Sequence, residues 1–334
     1  MKRFGGWVRV FLFAVASIVA GTWAFGAVWF DAPFGNANKI AAALMAIAFG
    51  SALLFVRPFW RKAGVVVLLF SGILIEWLTL EPTEDRPWQP DVAQKAWADI
   101  QGDEVTLHNV RNCDYRTETD YTPRWETRTV RLSQLTGIDL AVNYWSSPWM
   151  AHPIVSFQFT DAPPVCFSIE TRKAIGQSYS AIGGLYRQFE LIYIVADERD
   201  VIRVRTNYRK GEDIYLYHTT ISPEQARDRF LEYIHSLNAL RNKPLWYNAI
   251  TTNCTTSIRT QHPPGERMPW DWRILLNGKG DELMYERHLI VAGGLPFAEL
   301  KERSHINAAA QAANDAPDFS ERIRAQLVGS EPSD

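Results

Sequence analysis

The chain has 334 residues and a formal net charge of −2, from 35 basic and 37 acidic residues. Basic residues after position 100 are interspersed with acidic ones, so the sequence offers no basic face for nucleic acid. The length suggests about two domains, and the long apolar runs are concentrated before residue 81.

Three apolar runs occupy the N-terminal part of the chain, at residues 10–30, 40–56 and 63–80, with Glu76 as their only charged residue. An α-helix rises about 1.5 Å per residue and must cross roughly 30 Å of hydrocarbon, so each run is long enough, or nearly so, to span a membrane. A cleaved signal peptide would explain at most the first run. We therefore predict a three-helix transmembrane anchor over residues 1–80.

The distribution of charge around these runs predicts their orientation. The basic residues before the first run and between the second and third are Lys2, Arg3, Arg9, Arg57, Arg61 and Lys62. The segment that follows the third run is acidic. The positive-inside rule then places the N-terminus in the cytoplasm and everything after residue 80 on the far side of a bacterial inner membrane, in the periplasm.

The polar remainder divides into a linker at residues 81–94, a soluble domain at 95–270 and a helical C-terminal extension at 271–334 with a loose end. Residues 103–121 are predicted to be mixed and rich in strand. Further strands are predicted at residues 125–132, 137–144, 154–159, 165–170, 188–196, 201–206 and 213–219. Helices are predicted at residues 91–100 and from Ser222 to about Leu240, the latter with the spacing of a capping box. The predicted fold class is α+β.

One polar stretch, residues 245–259, carries a lone cysteine, Cys254. Asn253 or a neighbouring threonine is a candidate N-cap, which would place Cys254 in the first turn of a helix. There the helix dipole and the unpaired backbone N–H groups favour the nucleophilic thiolate. The alternative is a small buried cysteine that packs the start of a helix.

A nucleophilic cysteine needs a base to accept its proton and a polar group to orient that base. Of the seven histidines, His152 opens a predicted hairpin whose second strand carries Ser168 and Glu170 on one face. We predict His152 as the base and Glu170 as the group that orients it. His262 is the rival by proximity, although it lies about two helical turns from Cys254.

The remaining site predictions concern substrate and metal. Asn253 and Tyr247, with the backbone N–H of Cys254, are predicted to contact substrate or an oxyanion, and Ser168 is a further candidate. The histidines are scattered, with neither an HExxH motif nor paired CxxC motifs, so we predict no metal. We also predict no cofactor, because the sequence has no Gly-rich loop of the kind that cradles phosphates.

The three cysteines all fall on the predicted oxidising side of the membrane. An odd number leaves at least one thiol free or paired with another chain. A bridge between Cys113 and Cys166 would leave Cys254 free, but spacing alone cannot show that two cysteines approach closely enough. The sequence therefore leaves open whether Cys113 and Cys166 form a disulfide.

Four segments resemble the Lnb N-terminal periplasmic domain family: HPIVSF at residues 152–157, FSIETRK at 167–173, ELIYIVADERD at 190–200 and YNAITTNCTT at 247–256. The likeness covers about residues 105–265. It implies a circularly permuted papain-like (NlpC-type) fold with histidine before cysteine in the chain, an order that lecithin:retinol acyltransferase shares. It also implies that His152 and Cys254 match the family's catalytic pair. The protein from which the family takes its name attaches an acyl chain to the N-terminus of bacterial lipoproteins.

Three functions are compatible with these features. The leading hypothesis is a membrane-anchored periplasmic thiol enzyme for acyl transfer, with membrane lipids and lipoproteins as partners. The second is an amidase or cysteine peptidase that acts on peptidoglycan. The third is a non-catalytic envelope protein in which Cys254 is merely packed.

Overall fold

The computed structural model describes residues 2–145, 147–261, 265 and 267–330, with the backbone alone for residues 2–5. The chain forms two compact units. The first comprises Met1–Glu84, Ser178–Glu190 and Trp246–Ala249, and the second comprises Asp85–Gln177, Leu191–Leu245 and Ile250–Asp334. The membrane anchor predicted over residues 1–80 is thus joined in one unit by two short segments from later in the chain.

The first unit contains helices α1 (Lys2–Asp31), α2 (Asn38–Phe55) and α3 (Phe59–Thr79). Among the described residues, these three helices are long and apolar enough to cross a membrane, which confirms the helices predicted from the apolar runs. Helix α1 packs against both others. The Trp23 ring lies edge-on to Phe70 at 5.5 Å and to Trp77 at 5.3 Å between centroids.

Polar contacts tie the two later segments into the first unit. The carboxylate of Asp31, at the end of α1, accepts hydrogen bonds from the backbone N–H of Arg187 and from Nε2 of Gln188, both at 2.9 Å. The backbone N–H of Tyr247 donates to the carbonyl of Phe189 at 2.9 Å. The segment at 178–190 is therefore held both by the end of α1 and by the segment at 246–249.

The second unit is built on a sheet whose strands are β1 (Trp97–Gln101), β2 (Glu104–Arg111), β5 (Trp125–Arg131), β6 (Leu135–Trp145), β7 (Ala151–Phe159), β8 (Val165–Arg172), β9 (Glu190–Ala196) and β10 (Glu212–His218). Across the described residues the order is β1-β2-β9-β8-β7-β6-β10, with β5 paired to β2. Two short strands, β3 (Asp114–Tyr115) and β4 (Tyr121–Thr122), pair separately. Strands β7 and β8 run antiparallel with Ile154 opposite Ser168, which confirms the predicted hairpin.

The helices of the second unit are α4 (Glu198–Val201), α5 (Pro223–Asn242), α6 (Cys254–Gln261), α7 (Gly280–Glu286), α8 (Phe297–Arg303), α9 (Asn307–Ala313) and α10 (Phe319–Arg322). The capping box predicted for α5 is present: the Gln225 backbone N–H donates to Oγ of Ser222 at 3.3 Å, and the Ser222 N–H donates to Oε1 of Gln225 at 3.0 Å. The buried stripe of α5 is Ala226, Phe230, Tyr233, Ile234, Leu237 and Leu240. The unit is a mixed α/β arrangement.

Two predicted elements are wrong. Residues 97–100, expected within a helix, belong to β1. A two-residue turn at Gly102, where φ is +62°, returns the chain as β2, and pairing with β2 overrides the local helical preference. Residues 201–206, expected as a strand, are helical. Asp197 caps α4 by accepting from the Arg199 N–H at 2.9 Å, and a π-helical turn follows at Val204–Tyr208.

The C-terminal residues were expected to be loose, and up to residue 330 that expectation is wrong. Phe319 and Ile323 are completely buried and share a core cluster with Ile154 and Ile192 of the sheet. The polar composition of the segment hid this packing, because a few apolar residues at helical spacing are enough to bury a helix on one side.

Candidate thiol site

Cys254 is the first residue of α6 and is only 7% exposed. Oδ1 of Asn253 accepts from the Thr256 backbone N–H at 2.9 Å, and Oγ1 of Thr256 accepts from the Asn253 N–H at 2.9 Å. This reciprocal cap confirms that a helix begins at the cysteine. It also occupies the amide oxygen of Asn253 in holding the helix start.

His152 lies at the start of β7, within hydrogen-bond distance of a polar chain on β8. Its Nε2 is 2.7 Å from Oγ of Ser168, and Ser168 donates to Oε1 of Glu170 at 2.7 Å. The direct distance from Nε2 to Oε1 of Glu170 is 4.0 Å. Ser168 therefore lies between the imidazole and the carboxylate predicted to orient it, and Arg205 from the π-helical turn donates to the same Oε1 at 2.9 Å.

This chain of contacts fixes the tautomer of His152. An ionised carboxylate can only accept hydrogen bonds, so the Ser168 hydroxyl donates to Glu170 and must accept from the imidazole. The proton of neutral His152 is then on Nε2, and the lone pair that could take a proton is on Nδ1. No described residue is hydrogen-bonded to Nδ1. Because the single hydroxyl proton of Ser168 is directed at Glu170, Ser168 does not donate to an oxyanion in this arrangement.

Burial and neighbouring charges set the protonation states of the two acid–base groups. Burial opposes ionisation of Glu170, but the positive charges of Arg205 and Arg111 outweigh it and hold its pKa well below the usual range. Burial first, and then the charge of Arg205, lowers the pKa of His152 from 6.5 to about 4. At neutral pH, Glu170 is therefore ionised and His152 is neutral.

The thiol of Cys254 does not follow the expectation from its helix position. Burial raises its pKa above the ordinary 9.0, although hydrogen bonds from Thr255 and Asn277 oppose the shift. Desolvation penalises the charged form more than the first turn of this short helix favours it. The direction of this pKa shift is opposite to the one expected from the helix start, and it favours a neutral thiol beside the neutral imidazole at neutral pH.

Asn277, which the sequence did not single out, links the cysteine helix to the histidine strand. Its Oδ1 accepts from the backbone N–H of Ala151 at 2.9 Å, and its Nδ2 lies 3.1 Å from Oγ1 of Thr255 and 3.6 Å from Sγ of Cys254. Helix α6 packs against β7 and β8. The thiol and the residue preceding His152 thus contact the same amide side chain.

A local sequence signal at Asn277 existed but indicated only a turn. Asn-Gly is a turn dipeptide, and the Gly278 N–H donates to the carbonyl of Trp149 at 3.1 Å. A side chain at Gly278 would collide with the backbone of Pro148 and Trp149. Glycine at this position therefore lets the Asn277 turn lie against the segment that leads into β7.

The remaining residues considered from sequence are Tyr247, His262 and the other two cysteines. Tyr247 belongs to the first unit, where its ring lies 6.4 Å from that of Tyr179. His262 is outside the described residues. Cys113 and Cys166 are buried and unbridged, which answers the open question of a disulfide between them. Burial raises the pKa of Cys113 to about 12.

A second Ser–His–Asp set occurs in the second unit but has a different hydrogen-bond pattern. His218 lies 2.7 Å from Asp139 and 3.0 Å from Oγ of Ser330. The Ser330 hydroxyl, however, donates to the carbonyl of Arg324 at 2.9 Å, so the proton that a nucleophile would pass to His218 is already committed. We interpret these three residues as structural, because their hydrogen bonds hold the C-terminal segment at Ser330 against the strands that carry Asp139 and His218.

Within the described part of the chain, no group of three or more His, Cys, Asp or Glu side chains is arranged to hold a metal ion. Comparison with curated proteins and with solved structures gives no match to the chain. A protein-family model, described as the Lnb N-terminal periplasmic domain, matches residues 121–278. That range includes the His152 strand, the Ser168–Glu170 pair, Cys254 and Asn277. Residues 121–278 of this chain therefore match the Lnb N-terminal periplasmic domain, the family that the sequence resemblance predicted.

Proposed function

We propose that this protein is a membrane-anchored periplasmic enzyme that transfers acyl groups through a thioester on Cys254. The observation that carries the proposal is the convergence of two elements on Asn277: α6, which begins with the thiol, and the start of β7, which bears a histidine of fixed tautomer. The chain order, a histidine strand before a cysteine helix, also supports the permuted papain-like arrangement that the family resemblance implies.

The neutral pair supports general-base catalysis rather than a preformed ion pair. Nδ1 of His152 takes the proton of Cys254 as the sulfur attacks the acyl carbonyl. As the ester C–O bond breaks, the imidazolium returns that proton to the departing alkoxide, which leaves a thioester. An amine or water then attacks the thioester and gives its proton to His152, and the C–S bond breaks. The proton returns to the sulfur, so the resting thiol is restored.

Charge stabilisation in this scheme has two sources. Glu170, kept ionised by Arg205, stabilises the imidazolium through Ser168 during the reaction. The backbone N–H of Cys254 is the first candidate donor to the oxyanion, because the N–H groups of the first helical turn have no partner within the helix. Asn253 and Tyr247 remain sequence-based candidates for contact with substrate.

Exposed aromatic side chains on the segments around the Asn277 turn favour a lipid as the acyl donor. Trp149 and Trp272 are each about half exposed, and their ring centroids lie 6.4 Å apart. The Trp149 carbonyl accepts from Gly278, the neighbour of Asn277. Exposed tryptophan rings offer the apolar contact area that an acyl chain needs. The three apolar helices would also keep the domain close to a bilayer.

Mass spectrometry of the detergent-purified full chain tests this function. After incubation with a phospholipid that carries an isotope-labelled acyl chain, we expect the peptide containing Cys254 to gain one labelled acyl group, sensitive to hydroxylamine. Cys254→Ala should abolish the adduct, whereas Cys166→Ala, which removes another buried cysteine, should retain it. Cleavage of muropeptides without acylation would identify an amidase. Absence of both reactions, with full complementation by Cys254→Ser, would leave only a binding protein.

We further propose that the N-terminus is cytoplasmic, as the basic residues before α1 and between α2 and α3 favour. An alkaline phosphatase fused after the last residue should then be active in a bacterial host, because that enzyme folds only in an oxidising compartment. A green fluorescent protein fused at the N-terminus should fluoresce. The opposite pair of results would reverse the topology.

A further inference from the structure

We propose that Asn277 is a catalytic residue of the thiol site, whose side-chain N–H groups stabilise negative charge first on the sulfur of Cys254 and then on the acyl oxygen. This inference rests on the proposed acyl transfer and adds a donor that neither the sequence pattern nor the family match assigns. It concerns the one described side chain that both donates to Sγ and holds the backbone beside the base.

The orientation of the amide is fixed by its partners. The Ala151 backbone N–H can only donate, so the atom of Asn277 at 2.9 Å from it must be the oxygen,. The NH₂ group then points the other way, toward Oγ1 of Thr255 at 3.1 Å and Sγ of Cys254 at 3.6 Å. A flipped amide would place its NH₂ against the donor of Ala151 and its oxygen against the thiol.

The proposed role of Asn277 follows from the burial of the thiol, which leaves little water to stabilise a negative charge. Cys254 is buried and neutral at rest, so the transition state must develop charge in a site with little water. A preorganised N–H donor strengthens its hydrogen bond as the sulfur becomes negative, and it costs no reorganisation. Asn253, a candidate expected from sequence, holds the start of α6 through its amide oxygen. Asn277 has its oxygen anchored on β7 and its nitrogen aimed at the reacting atom.

The test uses the full chain in detergent and follows alkylation of Cys254 by iodoacetamide as a function of pH, quantified on the Cys254 peptide. Asn277→Asp keeps the acceptor for Ala151 but places a carboxylate oxygen against the sulfur. We expect it to slow alkylation at pH 7.5 by about tenfold or more and to move the rate profile to higher pH. Asn277→Ala should shift the profile in the same direction by less, and should lower acyl transfer by about 10²–10³-fold in kcat.

Asn307→Asp is the matched control. Oδ1 of Asn307 also accepts a backbone N–H, from Ile214 at 2.9 Å, and its Nδ2 donates to the Glu212 carbonyl at 2.8 Å, but it does not contact the thiol. Its alkylation profile should coincide with that of the wild type. Misfolding would change rates at every pH and lower the thermal midpoint, whereas loss of the donor moves the pH midpoint.

The experiments can contradict the role of Asn277 and the acyl-transfer function independently of each other. If the Asn277→Asp profile coincides with that of the wild type while acyl transfer proceeds, the role of Asn277 is wrong and the enzyme function stands. If the profile shifts as expected but no acyl group reaches Cys254 from lipid, the amide stabilises the thiolate of a site with a different function.

Discussion

Replacing His152 by glutamine should reduce the rate of acyl-thioester formation on Cys254 by about 10²–10⁴-fold, the usual contribution of a general base. Glutamine fills similar space and can still donate to Ser168, so the relay to Glu170 is kept while the proton acceptor is lost. The measurement is the initial rate of adduct formation from a phospholipid with a fluorescent acyl chain. His235→Gln, at an exposed position on α5, is the control and should react at the wild-type rate.

The pH dependence gives an independent check on this role. His152 acts as a base only when neutral, and its pKa is lowered to about 4 by burial and by Arg205. The wild-type rate should therefore persist as the pH falls below 6.5 and should decline only as the pH approaches about 4. An acid limb near the ordinary histidine value would show that water reaches the imidazole. A rate for His152→Gln equal to that of the wild type would remove His152 from the mechanism.

Replacing Arg324 by methionine should destabilise the second unit by about 3–5 kcal/mol, the usual effect of removing one partner from a buried ionic network. Arg324 donates to Asp139 at 2.8 Å and to Glu198 at 2.8 Å, and both carboxylates are almost completely buried. Burial opposes ionisation of Asp139, but hydrogen bonds from His218 and the charge of Arg324 lower its pKa. Without Arg324, Glu198 would keep Ser156 as a donor but no charge partner.

The thermal midpoint of the detergent-solubilised chain measures this effect, with an expected fall of about 10 °C. Arg322→Met is the control, because Arg322 lies two residues before Arg324 and forms an exposed pair with Asp318. This substitution should leave the midpoint nearly unchanged. Equal midpoints for the two variants would show that the ion pairs of Arg324 do not stabilise the second unit.

Local patterns were enough for several features of this protein. The apolar runs predicted three helices, because the length and hydrophobicity of a span are properties of a short stretch of chain. The capping box at Ser222 and the hairpin that carries His152 were likewise predicted correctly. The start of a helix at Cys254 followed from Asn253, whose side chain satisfies N–H groups only three residues away. Each of these features depends on neighbours within a few residues.

The tertiary structure decided what depends on residues distant in sequence. Asn277 reaches Cys254 only because Gly278 allows its turn to approach the segment before β7, and no periodic pattern records that approach. The sequence showed the helix start that favours a thiolate, because a helix start can be recognised locally. It could not show the burial that raises the pKa of the thiol, because desolvation depends on everything packed around the sulfur. For the same reason the polar C-terminal residues were misjudged: Phe319 and Ile323 are buried by the sheet. The local sequence thus determined most helices and strands. Long-range packing determined which of them meet and whether the thiol is protonated.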